Sequence, residues 1–365
     1  MVAGGDVEWS RIVAVPGIRV ERRDDGWIRI PYVITPERAY LDQQGGSRNE
    51  GSRGHPVTSI QYPLEFESSE DMARYPFRRI APVLREADIA FVNLETPLSD
   101  RARQAGAFIT PTAFADGLRW AGVSVVSTAN NHALDAEGLG LLDTKQALWR
   151  AGVGSVGTGE NLEAARRPFV VVRNGISVAF LGYAVAVNVG GSKAFALPDR
   201  SGVAPLDPFL IKEDIQRVRD DVDFVVVSFH WAIENSQDTH PAAREFAHDI
   251  IDAGADMILG HHPHVPRGIE VYEGKVIFYS LGNFVFGHNH TYWMNNYLAR
   301  LRLTRERIVE LEVLPIAGTG NSLAQPYLLE GEPARTLLDD IQARSAALDT
   351  QMEILDNVGV IVIAR

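Results

Sequence analysis

Residues 256–264 read Asp256-Met257-Ile258-Leu259-Gly260-His261-His262-Pro263-His264. A short apolar run closed by turn formers predicts a buried strand over Asp256–Gly260. Three imidazoles then follow directly after the strand. In open α/β sheets, ligands bind beyond the carboxyl ends of the strands. The stretch therefore predicts both a sheet and a site on its rim.

The same arrangement recurs on either side. Ile89–Asn93, Val123–Ser127 and Asp223–His230 also read as buried strands. His230 ends one of them, and His132 follows Asn130-Asn131 after another. Glu95 lies two residues beyond a third, and Asp6 follows the first apolar residues in Gly4-Gly5-Asp6. A lone histidine is usually a satisfied structural residue. Five strand ends that each deliver a polar or ionisable group are hard to explain as packing.

Helical patterns separate the strands at Pro76–Ala87, Asp135–Ala151, Pro208–Asp221 and Pro241–Ala253. Strand–helix alternation predicts parallel pairing. Two hairpins are expected, turning at Asn174-Gly175 and Glu273-Gly274. Asn296–Arg302 and Ile308–Ile316 read as further antiparallel strands. The sum is an α/β fold of two facing mixed sheets with helices outside, in one domain over residues 1–365. The polar, Gly/Ser/Arg-rich segment 43–56 reads as a mobile loop.

Composition narrows the function. The chain has no cysteine, which excludes disulfide scaffolds, thiol nucleophiles and thiolate metal sites. Net charge is -12, which argues against a nucleic-acid partner. The opening MVAGGDVEWSR has neither the basic nor the apolar region of a signal peptide. No apolar run reaches the roughly 18 residues of a membrane span. A cytoplasmic location without membrane contact is the expectation.

At Gly5-Asp6, Asn93–Glu95, Ala129–His132, His230-Trp231, Gly260–His264 and Tyr279–Phe286 (YSLGNFVF), the chain resembles the CapA-like, poly-γ-glutamate capsule protein family. That family lies within the calcineurin-like metallophosphatase superfamily, and the resemblance covers about residues 1–290. It implies a four-layer α/β/β/α sandwich with the site at the mouth of the two sheets. It also implies a ligand set of Asp6, Glu95, Asn131, His230, His262 and His264, suited to Mn, Zn or Fe. The chain departs from the superfamily at Glu8, where a histidine is usual. The same six residues can instead form a metal-free pocket of acids and bases. A second departure follows the YSLGNFVF run, where Gly287-His288-Asn289-His290-Thr291-Tyr292-Trp293 replaces the family's acidic residue.

Capsule members of the family typically carry an N-terminal membrane anchor, and this sequence shows none. Within the family it is similar to the peptide epimerases of lasso-peptide biosynthesis, which convert a C-terminal tryptophan of a ribosomal precursor to the D form. The implied partner is the precursor peptide, with a leader-binding protein as a further candidate.

Epimerisation removes an α-proton from one face and returns one to the other. It needs an acid/base group on each side of Cα and support for the enolate oxygens. No pyridoxal-type lysine motif is present, so no organic cofactor is expected, and a divalent metal is not expected to be required. Asp6 can be one base if burial raises its pKa. Histidine suits the other role. His290 is the first choice because it lies on the departing loop, and His288 is the second. Glu95, Asn131, His132, His230, His262 and His264 then bind the substrate and polarise its carboxylate. Trp9, Tyr292 and Trp293 could wall an aromatic side chain, or could simply pack. The competing reading is a metal-dependent phosphoester hydrolase. An inactive binding scaffold is disfavoured, because nearly every polar site position is occupied.

Overall fold

Apolar runs at the centre of the chain pair into two large sheets. The computed structural model describes residues 1–8, 21–22, 28–30, 64–101, 108–185, 188, 194–286, 295–318 and 325–363. For residues 6–8, 21–22, 28–30 and 64–65 only the backbone is considered.

The first sheet has nine strands. Its central strand β1 (Val2–Glu8) runs parallel to β5 (Ala90–Leu94) on one side. On the other side its start pairs antiparallel with β17 (Asn296–Leu303) and its end parallel with β16 (Asn283–Phe286). Beyond β5 lie β6 (Val125–Ser127) and β7 (Gly154–Val156). Beyond β17 lie β18 (Ile308–Ile316), β20 (Val358–Val362) and β19 (Glu353–Leu355).

The second sheet runs β14 (Ile269–Tyr272), β15 (Lys275–Phe278), β13 (Met257–His261), β12 (Phe224–His230), β10 (Ile176–Ala184) and β9 (Phe169–Arg173). Its centre is parallel, and its two ends are the expected hairpins. Two small sheets complete the set. One joins β8 (Thr158–Gly159) to β11 (Gly202–Val203), and the other joins β2 (Glu21–Arg22), β3 (Ile28–Ile30) and β4 (Leu64–Phe66).

Packing makes the layers. Phe91 of β5 stacks on Phe180 of β10 with ring centroids 5.5 Å apart, inside an apolar core that also holds Val226, Leu259 and Val313. Outside the first sheet, α1 (Ser69–Arg74), α2 (Ala81–Arg85) and α3 (Phe114–Ala121) bury Met72, Leu84, Phe114 and Leu118. α4 (Glu137–Ala151) adds Leu148 to the same layer. After the short α5 (Leu162–Ala165), α6 (Pro208–Arg219) and α7 (Pro241–Asp252) cover the second sheet with Ile211, Ile215, Ile250 and Ile251. α8 (Gly331–Ala346) packs against β14, β18 and β20, so it touches both sheets. The order is helix, sheet, sheet, helix, as expected.

The four expected central strands lie within two residues of their predicted bounds. The expected helix at Pro76–Ala87 is a correction: a 3₁₀ turn (Tyr75–Phe77) precedes the separate α2. Pro76 and Pro82 cause the split. Proline lacks the N–H that a continuous helix needs, and each sits in the first turn of its own piece, where that N–H has no partner anyway. Among the described residues, no helix is long and apolar enough to cross a membrane. Residues 43–56 lie outside the described part.

Two glycines set how closely the rims approach. A Cβ on Gly5 would lie 1.8 Å from the Gly282 carbonyl oxygen, and one on Gly260 would lie 2.4 Å from that of Tyr279. Only glycine lets β1 and β13 pass these neighbours on the way to Asp6 and the histidine run.

Candidate active site

The first sheet supplies oxygens. β5 ends in Asn93-Leu94 and delivers Glu95, which is fully buried. Asn130 donates through its amide to Asn93 Oδ1 (3.3 Å) and to the Leu94 carbonyl (2.7 Å). This fixes the Asn93 side chain, so its Nδ2 faces Glu95 Oε2 and His230 Nδ1, each at 3.4 Å. Asp6 sits on β1 with Asn93 as its register partner on β5 and Asn283 on β16.

The second sheet supplies imidazoles. His230 Nε2 lies 2.7 Å from Asn131 Oδ1. Because Nδ1 faces the Asn93 N–H, the proton is assigned to Nε2, which donates to Asn131. Burial, then the nearby His262, His261 and His264, hold His230 well below the ordinary histidine value, so it is neutral. His264 Nδ1 lies 2.9 Å from Asn283 Oδ1 and donates to it, which turns Nε2 toward Glu95. Glu95 Oε1 is 3.6 Å from His264 Nε2 and 3.8 Å from His230 Nε2. The His262 ring lies between, its centroid 4.7 Å from His230 and 6.1 Å from His264. His261 is different: it faces inward, 6.1 Å from the Phe91 ring in the core.

His132 belongs to a dyad. Its Nδ1 donates to Asp135 Oδ2 at 2.8 Å, and the same oxygen accepts the Phe108 N–H at 2.8 Å. The imidazole stacks on Phe108 with centroids 3.9 Å apart. Its Nε2 points toward Asn188 Nδ2, 3.4 Å away. Phe108 also meets Phe286 edge to face at 6.0 Å, and Phe286 lies 4.8 Å from His264. The dyad is thus joined to the cluster by an aromatic wall. A held Nδ1–H leaves Nε2 as the working nitrogen, which can accept or deliver a proton.

The donor chemistry fits a divalent ion. The separations around Glu95 Oε1 are too long for hydrogen bonds but close to the roughly 3.4 Å edge of a tetrahedron with bonds of about 2.1 Å. Ligand atoms of Glu95, His230 and His262 all lie within 4.8 Å of one another, as do those of Glu234, His262 and His264. Carboxylate and imidazole together suit Zn, Mn or Fe. His230 can join only if its Nε2 proton leaves and Asn131 gives way.

Of the residues picked from the sequence, Glu95, Asn131, His230, His262 and His264 come together, with His132 beside them. Asp6 is placed by its backbone at the same rim. Trp9, His288, His290, Tyr292 and Trp293 lie outside the described residues. The chain reaches segment 287–294 from Phe286, which is in register with Glu8 on β1. Asn93, Asn283, Asp135 and Glu234 were not picked. Asp135 had a local signal, since it follows His132 by three residues. Asn93 and Asn283 lie inside the Asn93–Glu95 and Tyr279–Phe286 motifs, but their partners His230 and His264 come from other segments, and no motif includes Glu234.

The family model described as bacterial capsule synthesis protein PGA_cap matches residues 54–288. The chain is 35% identical over 246 residues to the PGA biosynthesis protein CapA of Bacillus subtilis (strain 168), covering 66% of this chain and 64% of that one. It is 34% identical over 253 residues to the capsule biosynthesis protein CapA of Bacillus anthracis, covering 66% and 61%. It thus spans less than two thirds of either relative's length. The calcineurin-like phosphoesterase YfkN from Bacillus subtilis aligns over 70% of this chain and 79% of that one, at 12% identity and a TM-score of 0.38.

Proposed function

Because the chain belongs to the bacterial capsule synthesis protein family, PGA_cap, we propose that it is a branch of that family acting on a peptide: an epimerase that inverts an α-carbon from L to D. The substrate on this reading is the C-terminal tryptophan of a ribosomally made lasso-peptide precursor, which a leader-binding protein can deliver. One observation carries it. The register of β1 sets Asp6 between Asn93 and Asn283, and the strand bearing Asn283 hands the chain to segment 287–294 beside Glu8. The acid on β1 thus sits at the rim where β16 ends at Phe286.

The chemistry then balances without an outside reagent. Asp6 takes the Cα proton from one face, and the electron pair passes into the adjacent carbonyl as an enolate. His290, as imidazolium, returns a proton to the opposite face, and the reverse reaction exchanges the roles. His262 binds the C-terminal carboxylate, joined by His132 and His264 when these carry a second proton on Nε2, since their Nδ1–H groups already serve Asp135 and Asn283. The neutral His230 donates within the cluster. Water exclusion by Phe108 and Phe286 strengthens each of these contacts. When bound at the histidine cluster, a divalent ion would supply Lewis-acid stabilisation of the enolate oxygens. Chiral analysis of the C-terminal residue tests the reading: incubation with a precursor peptide ending in L-tryptophan should yield the D residue, and an unchanged residue would reject it.

A second reading has its own support. The Glu95, His230 and His262 donors together with the His132–Asp135 dyad also suit a metal-dependent phosphoester hydrolase. Turnover of a chromogenic phosphoester that chelator abolishes and Mn or Zn restores would favour it over epimerisation.

A further inference from the structure

Glu234 stands outside every motif that marks the site, yet its carboxylate lies within 4.8 Å of ligand nitrogens of both His262 and His264. It is exposed, so burial does not force it there. The backbone brings it there. Ala232 (φ 74°) and Asn235 (φ 58°) flank it in the left-handed region, and His262 (φ 94°) and His264 (φ 61°) occupy the same region opposite. Each such conformation in a non-glycine residue is uncommon, and backbone strain of this kind clusters at ligand clamps.

The two loops are tied face to face. Trp231 N–H donates to the His261 carbonyl (3.1 Å), and Asn235 N–H donates to that of Pro263 (2.9 Å). Arg267, only 3% exposed, anchors the Glu234 loop from beneath. Its Nε donates to the Ser236 carbonyl at 2.7 Å and its Nη2 to the Ile233 carbonyl at 3.3 Å, on either side of Glu234. Burial pushes this guanidinium down to about 10. Arg344 fixes the next turn through Gln237 Oε1 at 2.9 Å. A buried cation and four left-handed residues thus hold one exposed carboxylate against two imidazoles.

We infer that Glu234, His262 and His264 form a divalent transition-metal site on the solvent side of the histidine cluster. One carboxylate oxygen and two imidazole nitrogens are a borderline donor set. Three protein ligands leave a position open to water or a substrate oxygen, the pattern of catalytic rather than structural sites. His262 is shared with the inner Glu95–His230 group. A neutral imidazole has one lone pair, so His262 serves one ion at a time and these two groups together take up one. The outer set wins because His230 is already engaged by Asn93 and Asn131.

Titration of the full chain with Zn²⁺ alone, by calorimetry, tests this directly, and Co²⁺ absorption reports the ligand set. Wild type should bind one ion per chain. Glu234→Gln should weaken Zn²⁺ by at least about tenfold and alter the Co²⁺ ligand-field bands. Its metal-free far-UV circular dichroism should match wild type, which separates loss of a ligand from loss of the fold. Absence of Zn²⁺ binding by wild type, or wild-type affinity and spectrum in Glu234→Gln, would overturn the assignment. Neither result depends on peptide turnover, so failure here leaves the epimerase reading standing.

Discussion

The two sheet rims that meet at the site differ in chemistry and in how they are held. The first-sheet rim carries acids and amides: Asp6, Asn93, Glu95, Asn131 and Asn283. The second carries imidazoles: His230, His262 and His264. The oxygen half is ordered by a polar clamp, in which Asn130 fixes Asn93 and Asn93 faces Glu95. The imidazole half is ordered by backbone shape, with His262 and His264 both left-handed. The epimerisation chemistry needs both rims. What joins them is the apolar core between the sheets, so the packing that stabilises the fold also holds the two rims together.

The largest effect should come from removing one acid/base group. Asp6→Ala or His290→Ala should lower epimerisation by roughly 10²–10⁴-fold, the usual loss for a general acid or base. Steady-state turnover checks this, and wild-type rates in His290→Ala would remove segment 287–294 from the mechanism.

Next comes the joint between the rims. Phe180→Ala empties the stack on Phe91, and unfolding in urea should show a loss of about 3–5 kcal/mol, as for other buried aromatics. A loss under about 1 kcal/mol would mean that the sheets are held elsewhere.

The clamp should matter less. Asn130→Ala leaves Asn93 Oδ1 and the Leu94 carbonyl without this donor inside the protein, at about 1–3 kcal/mol. The same change at an exposed asparagine is the control.

The smallest effect separates the rims by pH. His230 is held below its ordinary 6.5 by burial. The unfolded chain therefore binds this proton at higher pH than the folded one. The contribution is fully present above about pH 6.5 and declines as pH falls below it. Melting curves of chelator-treated protein should show this decline, and His230→Gln should flatten it.

Much of this was legible in the sequence because strand ends are local signals. Gly260–His264 and Asn93–Glu95 announce a strand and its functional end within a few residues. Asn283 was not legible as a partner of His264, because the isolated Pro266–Leu281 bridge, which no local pattern marks, joins their two segments. Glu234 was hidden for a different reason: the left-handed turn at Ala232 reverses the chain after Trp231, and alanine gives no warning of it. The break in Pro76–Ala87 could have been read, since both prolines stand in view.

The most direct test of the central claim is solvent exchange at Cα. Wild-type enzyme and a precursor peptide ending in L-tryptophan are incubated in deuterated water, and the C-terminal residue is examined by mass spectrometry and chiral separation. The account requires the D product to carry one deuterium at Cα, with Asp6→Asn and His290→Ala differing in how they exchange the L and D peptides. Inverted product without deuterium, or no exchange beside metal-dependent phosphoester hydrolysis, would contradict it.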